Sequence, residues 1–314
     1  MSHDGDQRTA TGVNNDGKYS TMRVYQAAAI AGLLALTPGF SSVSAMQAAA
    51  TTAAASPYSY ADIADLATAA PMALHARIHS AVVLKPAQAP GVAAGHSRFY
   101  VEADVVSLIR GAGPLASRIS YLVDLPLDAK GKPQKLKKKQ PVLLFARPVA
   151  GAAAGSSSTG SVRLVAPDAQ LPWDAATEAQ LRAVLTELVK PGAPPAITGI
   201  ANGFHVPGTL PGEGETQLFL NTSTGEPVSL TVLTAADGSR RWAAAFGEIV
   251  DGSAAVPARN TLAWYRLACG LPRQLPLSKL AGTAPEDRRK AASDYGIVLG
   301  ALGECSRTRK PPAG

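Results

Sequence analysis

Over residues 73–84 the chain alternates: Leu74, Ala76 and Ile78 fall on one face of an extended strand, His75, Arg77 and His79 on the other. Three further apolar runs follow at short spacing, over 98–109, 117–125 and 142–146. The Pro/Gly-rich stretch 85–95 separates the first two, and the turn chemistry of 111–114 makes the second and third a hairpin. A Gly/Ala/Ser segment, 151–160, predicts the tip of a last hairpin whose return strand is 161–165. Ahead of these, 62–67 reads as a helical turn or two. Five strands with little helix between them predict a small antiparallel barrel or sandwich.

The period then changes. Asp174 is placed to cap a helix over 175–190, whose Leu181, Val184, Leu185 and Leu188 form one stripe while Glu178, Arg182 and Glu187 stay wet. Pro191 and Gly192 stop it. Four more strand-like runs, 196–206, 216–221, 228–235 and 242–250, are separated by Gly-, Pro- or Asp-rich connections and predict a second antiparallel sheet. Residues 261–269 fit a short helix better than a strand, and Thr283 to Glu286 has capping-box spacing ahead of a final helix over 285–304. The expected fold class is mainly β (α+β): a small antiparallel barrel at 60–170, then a second antiparallel sheet domain with flanking helices at 174–305. A basic tail, 306–314, is expected to be mobile.

The strand over 74–84, the strand closing on Ile109, Arg110 and Gly111, the strand 119–123 and the run Val142, Leu143, Leu144, Phe145 together resemble the netrin-like OB barrel of exported proteins. The likeness covers about 62–167 and is one of pattern. Metalloproteinase inhibitors of that family carry a cysteine-rich amino terminus; no cysteine lies in this half of the chain, so the resemblance implies the barrel and not the inhibition.

The amino terminus changes the setting. From Met22 and Arg23 an apolar run over 27–36 leads to Pro38 and Gly39 and then to Val43, Ser44 and Ala45. The run is too short to span a bilayer, and small residues stand where signal peptidase cuts. Residues 22–45 are therefore read as a signal peptide cleaved near Ala45, 1–21 as a disordered extension or a mis-assigned start, and 46–59 as a linker. The expected location is periplasmic or secreted, with no transmembrane helix in the mature chain, and the whole chain resembles an exported bacterial protein.

Charge and cysteines then gain meaning. The net charge of +7 survives removal of the leader, which favours anionic partners. Cys269 and Cys305, the two cysteines, read either as one disulfide or as two buried thiols, and an oxidising compartment favours the bridge.

The candidate chemistry is sparse. Six lysines, Lys130, Lys132, Lys135, Lys137, Lys138 and Lys139, crowd the connection before the strand at 142 without an interleaved aromatic. That pattern argues for a solvated edge or an anionic-surface contact and against nucleic acid. His75 and His79 on one strand stand about 13 Å apart, too far to share an ion, so no metal is expected. The segment 155–160 lacks the spacing of a nucleophile elbow or a phosphate loop. Trp242, Trp264 and Tyr265 read as packing.

The densest pattern is 203–217, which joins turn formers to His205, Glu213 and Glu215. An imidazole beside two carboxylates can divide proton transfers, so the alternative expectation is a secreted hydrolase that uses this loop. With no motif-grade nucleophile, metal set or cofactor loop, the leading expectation is a non-enzymatic binding or cell-envelope-associated module without a cofactor. Its partner would be an anionic envelope surface or another exported protein.

Overall fold

The five predicted strands close on themselves. In the computed structural model, which describes residues 55–112, 115–149, 159–247, 254–280 and 284–309, they are β1 (Met72–Val83), β2 (His96–Arg110), β3 (Arg118–Pro126), β4 (Pro141–Pro148) and β5 (Thr159–Leu164). They follow the order β1-β2-β3-β5-β4, and β4 pairs back onto β1. The result is a closed five-stranded barrel of OB-like form. Every pairing around it is antiparallel except β3 with β5. That parallel contact is the departure from the expected all-antiparallel sheet: β5 returns beside β4 as predicted, yet its other edge must meet β3 running the same way. The leader at 22–45, residues 1–21, the linker up to residue 54, the hairpin tip 151–158 and the last residues 310–314 lie outside the described residues.

The alternation read in the first strand is the barrel wall. Leu74, Ala76 and Ile78 point inward with Phe99, Val101, Ile119, Tyr121, Val123 and Leu144. Three register shifts between β1 and β2 bend the long strands enough to close the barrel. A short strand, β6 (Gln170–Pro172), extends the sheet beside β4.

The second sheet is an antiparallel meander of β7 (Ile197–Pro207), β8 (Gly214–Thr222), β9 (Val228–Thr234) and β10 (Arg240–Phe246). The described residues hold four α-helices, α1 (Tyr60–Ala69), α2 (Ala175–Leu188), α3 (Leu262–Gly270) and α4 (Pro285–Leu302), of which α3 and α4 pack on the meander while α1 and α2 pack on each other and on α3. α1 is longer than the predicted turn or two because Ser59 and Asp62 form a reciprocal capping box. At α4 the expected box does not form. The N-cap is Ala284, one residue late, and Pro285 starts the helix without a side-chain cap.

One apolar cluster joins everything outside the barrel interior. Ala73, Leu143 and Phe145, on the outer wall of β1 and β4, pack in it with Ile63 of α1, Leu181 of α2, Leu218 and Leu230 of the meander, Leu262 of α3 and Tyr295 of α4. The described residues of the segments 60–170 and 174–305 thus share a core and form one compact unit. Trp264 and Tyr265 are buried in it as expected.

Cys269, in the last turn of α3, and Cys305, just past α4, stand with their sulfurs 2.03 Å apart and their Cα atoms 5.2 Å apart. The start of the tail is not loose. Arg307 donates to Asp65 (2.6 Å), Arg309 donates to both oxygens of Asp168 (2.9 and 2.7 Å), and Thr308 donates through its N–H and hydroxyl to Asp62 (2.9 and 2.6 Å). A segment that read as solvated is held because two carboxylates of α1, Asp62 and Asp65, and a third between β5 and β6, Asp168, accept from it. Among the described residues no helix is long and apolar enough to cross a membrane.

Candidate functional site

The 203–217 segment is the end of a hairpin. β7 and β8 pair with His205 opposite Thr216 and Val206 opposite Glu215. Because side chains alternate along a strand, His205 and Thr216 share the buried face against α4, whereas Glu215 lies on the other face, where its Oε1 accepts from Gln217 at 2.7 Å. Glu213 sits in the turn and closes it: its carboxylate accepts from the N–H of Leu210 at 3.2 Å, and its main chain bonds Gly208 and Leu210. The three candidate residues therefore do not converge.

His205 belongs to a different constellation. Thr216 donates its hydroxyl proton to Oδ2 of Asp294 on α4, so the 2.9 Å contact from His205 Nδ1 to the same hydroxyl has the imidazole as donor. Arg240 Nε approaches Asp294 Oδ1 at 3.5 Å, and Arg240 also donates to Ser293 at 3.0 Å. His205 is 7% exposed and Asp294 1%. The ring lies over Gly214, where a Cβ would stand 2.6 Å from Cε1 and 2.7 Å from Nε2. A general base must reach the proton it takes; this imidazole is shut in between glycine and threonine, and its visible work is to tie α4 to the sheet. Thr216, Asp294 and Arg240 were not anticipated. The available signal was Asp294 itself, which occupies the stripe Ala291, Asp294, Tyr295, Val298, Leu302 that α4 buries.

The two histidines of the first strand separate as their spacing requires. His75 stacks on Trp173, ring centroids 4.6 Å apart, with Nδ1 3.6 Å from Glu178. Burial pushes its pKa below the ordinary value, Arg77 adds to that, and Glu178 opposes it. His79 lies 3.3 Å from Asp104, which also accepts from Arg118 at 2.8 Å. Among the described residues no three potential metal ligands cluster.

The six lysines occupy the β3–β4 connection, all exposed, on a backbone pinned at both ends. Asp128 Oδ1 accepts the N–H groups of Lys130 and Lys132, each at 2.9 Å. Lys139, in the left-handed region at φ +66°, donates its N–H to Ile78 at 2.7 Å, and Gln140 Oε1 accepts from Lys137 at 3.1 Å. The loop's single carboxylate oxygen in use is thus spent on backbone. Among the described residues none of the six ammonium groups forms an ion pair. Leu127 N–H bonds to Gly95, so the β1–β2 connection with exposed Lys85 lies at the same end of the barrel.

No protein-family model matches the chain, and no curated protein matches it.

Proposed function

We propose that this is an exported, non-enzymatic binding protein that associates with an anionic envelope surface through the lysine loop at one end of its barrel. The observation that carries the reading is the arrangement of the loop: six exposed lysines on a fixed backbone, with the neighbouring carboxylate engaged by main-chain N–H groups. Each such cation near an anionic lipid surface is worth about 1 kcal/mol, falling off within a Debye length. Export is supported by the leader pattern and by a cysteine pair at bonding distance, which suits an oxidising compartment. The netrin-like likeness rests on the strand arrangement and adds only the expectation of an exported barrel. The scattering of His205, Glu213 and Glu215 weakens the hydrolase alternative.

The test is sedimentation with vesicles of phosphatidylglycerol and phosphatidylcholine at low and high salt. The protein should sediment with the anionic vesicles at low salt, release at high salt, and lose the binding when Lys135, Lys137, Lys138 and Lys139 are changed to Gln. Equal partitioning of the two proteins would refute the reading.

A further inference from the structure

The β3–β5 contact that closes the barrel is short, and the two strands part beyond it. Parallel pairing runs only from Arg118↔Thr159 to Ser120↔Ser161. Beyond that point β5 keeps its partner β4 on one side, up to Ala146↔Leu164, while β3 keeps β2 on the other, up to His96↔Pro126. Between them lies a groove of about 610 Å³, within the usual size of a binding cleft.

The direction of the main-chain groups in this groove follows from the bonds on the far sides of the two strands. Ser117 C=O accepts from Val105 on β2 and Leu127 N–H donates to Gly95, with no register shift between them, so the odd-numbered residues of β3 face β2. The N–H and C=O groups of Leu122 and Asp124 therefore face the groove. Likewise Ser161 C=O and Val165 N–H bond to β4, which turns the N–H and C=O of Leu164 toward the groove from the opposite bank. Among the described residues no strand pairs with these groups. Two strand edges thus border the groove from opposite sides, each with main-chain groups that no described strand pairs.

The side chains of the groove say what kind of strand. Tyr100 and Leu122, paired across β2 and β3 and 39% and 47% exposed, form an apolar shelf with Val149. Asp124, the carboxylate of the lining, is already neutralised by a two-pronged contact from Arg98, 2.7 Å to each oxygen. Arg163 lines the opposite bank, exposed and without an ion pair among the described residues. The open charge is positive and the open hydrogen-bonding groups are those of a ladder.

We infer that this seam is a docking site for a short extended segment of a partner polypeptide, added as a strand between β3 and β5, with apolar side chains on the shelf and a carboxylate against Arg163. Main-chain bonds supply affinity in such strand addition, and alternate side chains supply selectivity. The open length, Tyr121 to Leu125, holds about five residues, roughly 16 Å at the rise of a strand. This surface is separate from the lysine loop and does not depend on the lipid reading.

The probe is a set of blocked hexapeptides with valine or threonine at alternate positions and one glutamate, added to the full chain and followed by fluorescence anisotropy and amide hydrogen exchange. Binding should slow exchange at Leu122, Asp124 and Leu164. N-methylation of the peptide at alternate residues should weaken binding at least tenfold in one of its two registers. Arg163→Glu, at an exposed position that should not disturb folding, should weaken the glutamate peptides and favour their lysine counterparts. The inference is overturned if millimolar peptide leaves those three amides unprotected, if both N-methylated registers bind like the parent, or if an oligothymidylate binds in the groove and the peptides do not.

Discussion

The hydroxyl of Thr216 on β8 donates to Oδ2 of Asp294 on α4 at 2.5 Å, and both side chains are withdrawn from water. A buried carboxylate is tolerated only when its lone pairs are met. Here one oxygen takes the threonine proton, while the other has only the 3.5 Å approach of Arg240. Thr216→Val keeps the shape and removes the donor, so it should cost about 2 to 3 kcal/mol, the range for stranding a buried charged acceptor. Thr216→Ser, which keeps the donor, should cost less. Urea denaturation of the two variants makes the comparison; a Thr216→Val protein as stable as the parent would mean that the hydrogen bond contributes nothing.

His75 makes stability fall with acid in a window set by one imidazole. Burial holds its pKa in the folded chain below the unfolded value of about 6.5. Above that pH both states are neutral and the contribution is complete. Below it the unfolded chain binds the proton first, so stability drains away as pH falls toward the depressed folded value. The urea midpoint should therefore decline on going from pH 7 to pH 5, and His75→Phe, which can keep the stack on Trp173, should flatten that slope. An unchanged slope in the variant would place the titration elsewhere.

What the sequence made legible follows the range of the interaction. The strands of the barrel, the helix over 175–188 and the meander could be read because alternation and the helical stripe are local patterns that burial enforces. Leu74, Ala76 and Ile78 face inward as their spacing demanded. The parallel contact of β3 with β5, and hence the seam, depends on how the ends of a closed sheet meet and has no local signature. The same holds for the site chemistry. His205, Glu213 and Glu215 are close in sequence, but the period of two sends Glu215 to the face opposite His205, whose acidic neighbour comes instead from a helix 89 residues later. The lysine loop was legible as composition; that its backbone is fixed by Asp128 and Gln140 was not.

Asp62 should make the tail an acid-sensitive clasp. Its oxygens accept from Ser59, from the N–H and hydroxyl of Thr308, and from the N–H of Arg309. Burial acts to raise its pKa, but those hydrogen bonds outweigh it, and the net position is below the ordinary carboxylate value. A depressed carboxyl contributes fully above its unfolded pKa, near 4, and loses that contribution as pH falls through the folded value. Asp62→Asn should destabilise the protein at neutral pH by about 2 to 3 kcal/mol and lessen the loss below pH 4. Exchange of the Thr308 amide should quicken in the variant. Slow exchange there would show that Arg307 with Asp65 and Arg309 with Asp168 hold the tail without it.

The Cys269–Cys305 bridge fastens the end of α4 to α3, while the Thr216–Asp294 bond fastens its middle to the sheet. Closing a loop of this length in the unfolded chain is worth about 3 to 4 kcal/mol. Cys269→Ala with Cys305→Ala should lose that much in guanidinium denaturation, and the parent should lose a similar amount when reduced. The more telling experiment joins the two anchors. If they act on one helix, removing the bridge lets α4 lift locally, and Thr216→Val then has less left to break. The combined loss should fall short of the sum by about 0.5 kcal/mol or more, as for sites that share a structural element. Strict additivity would mean that α4 is held along its length by Tyr295, Val298 and the rest of its buried stripe, with each anchor acting alone.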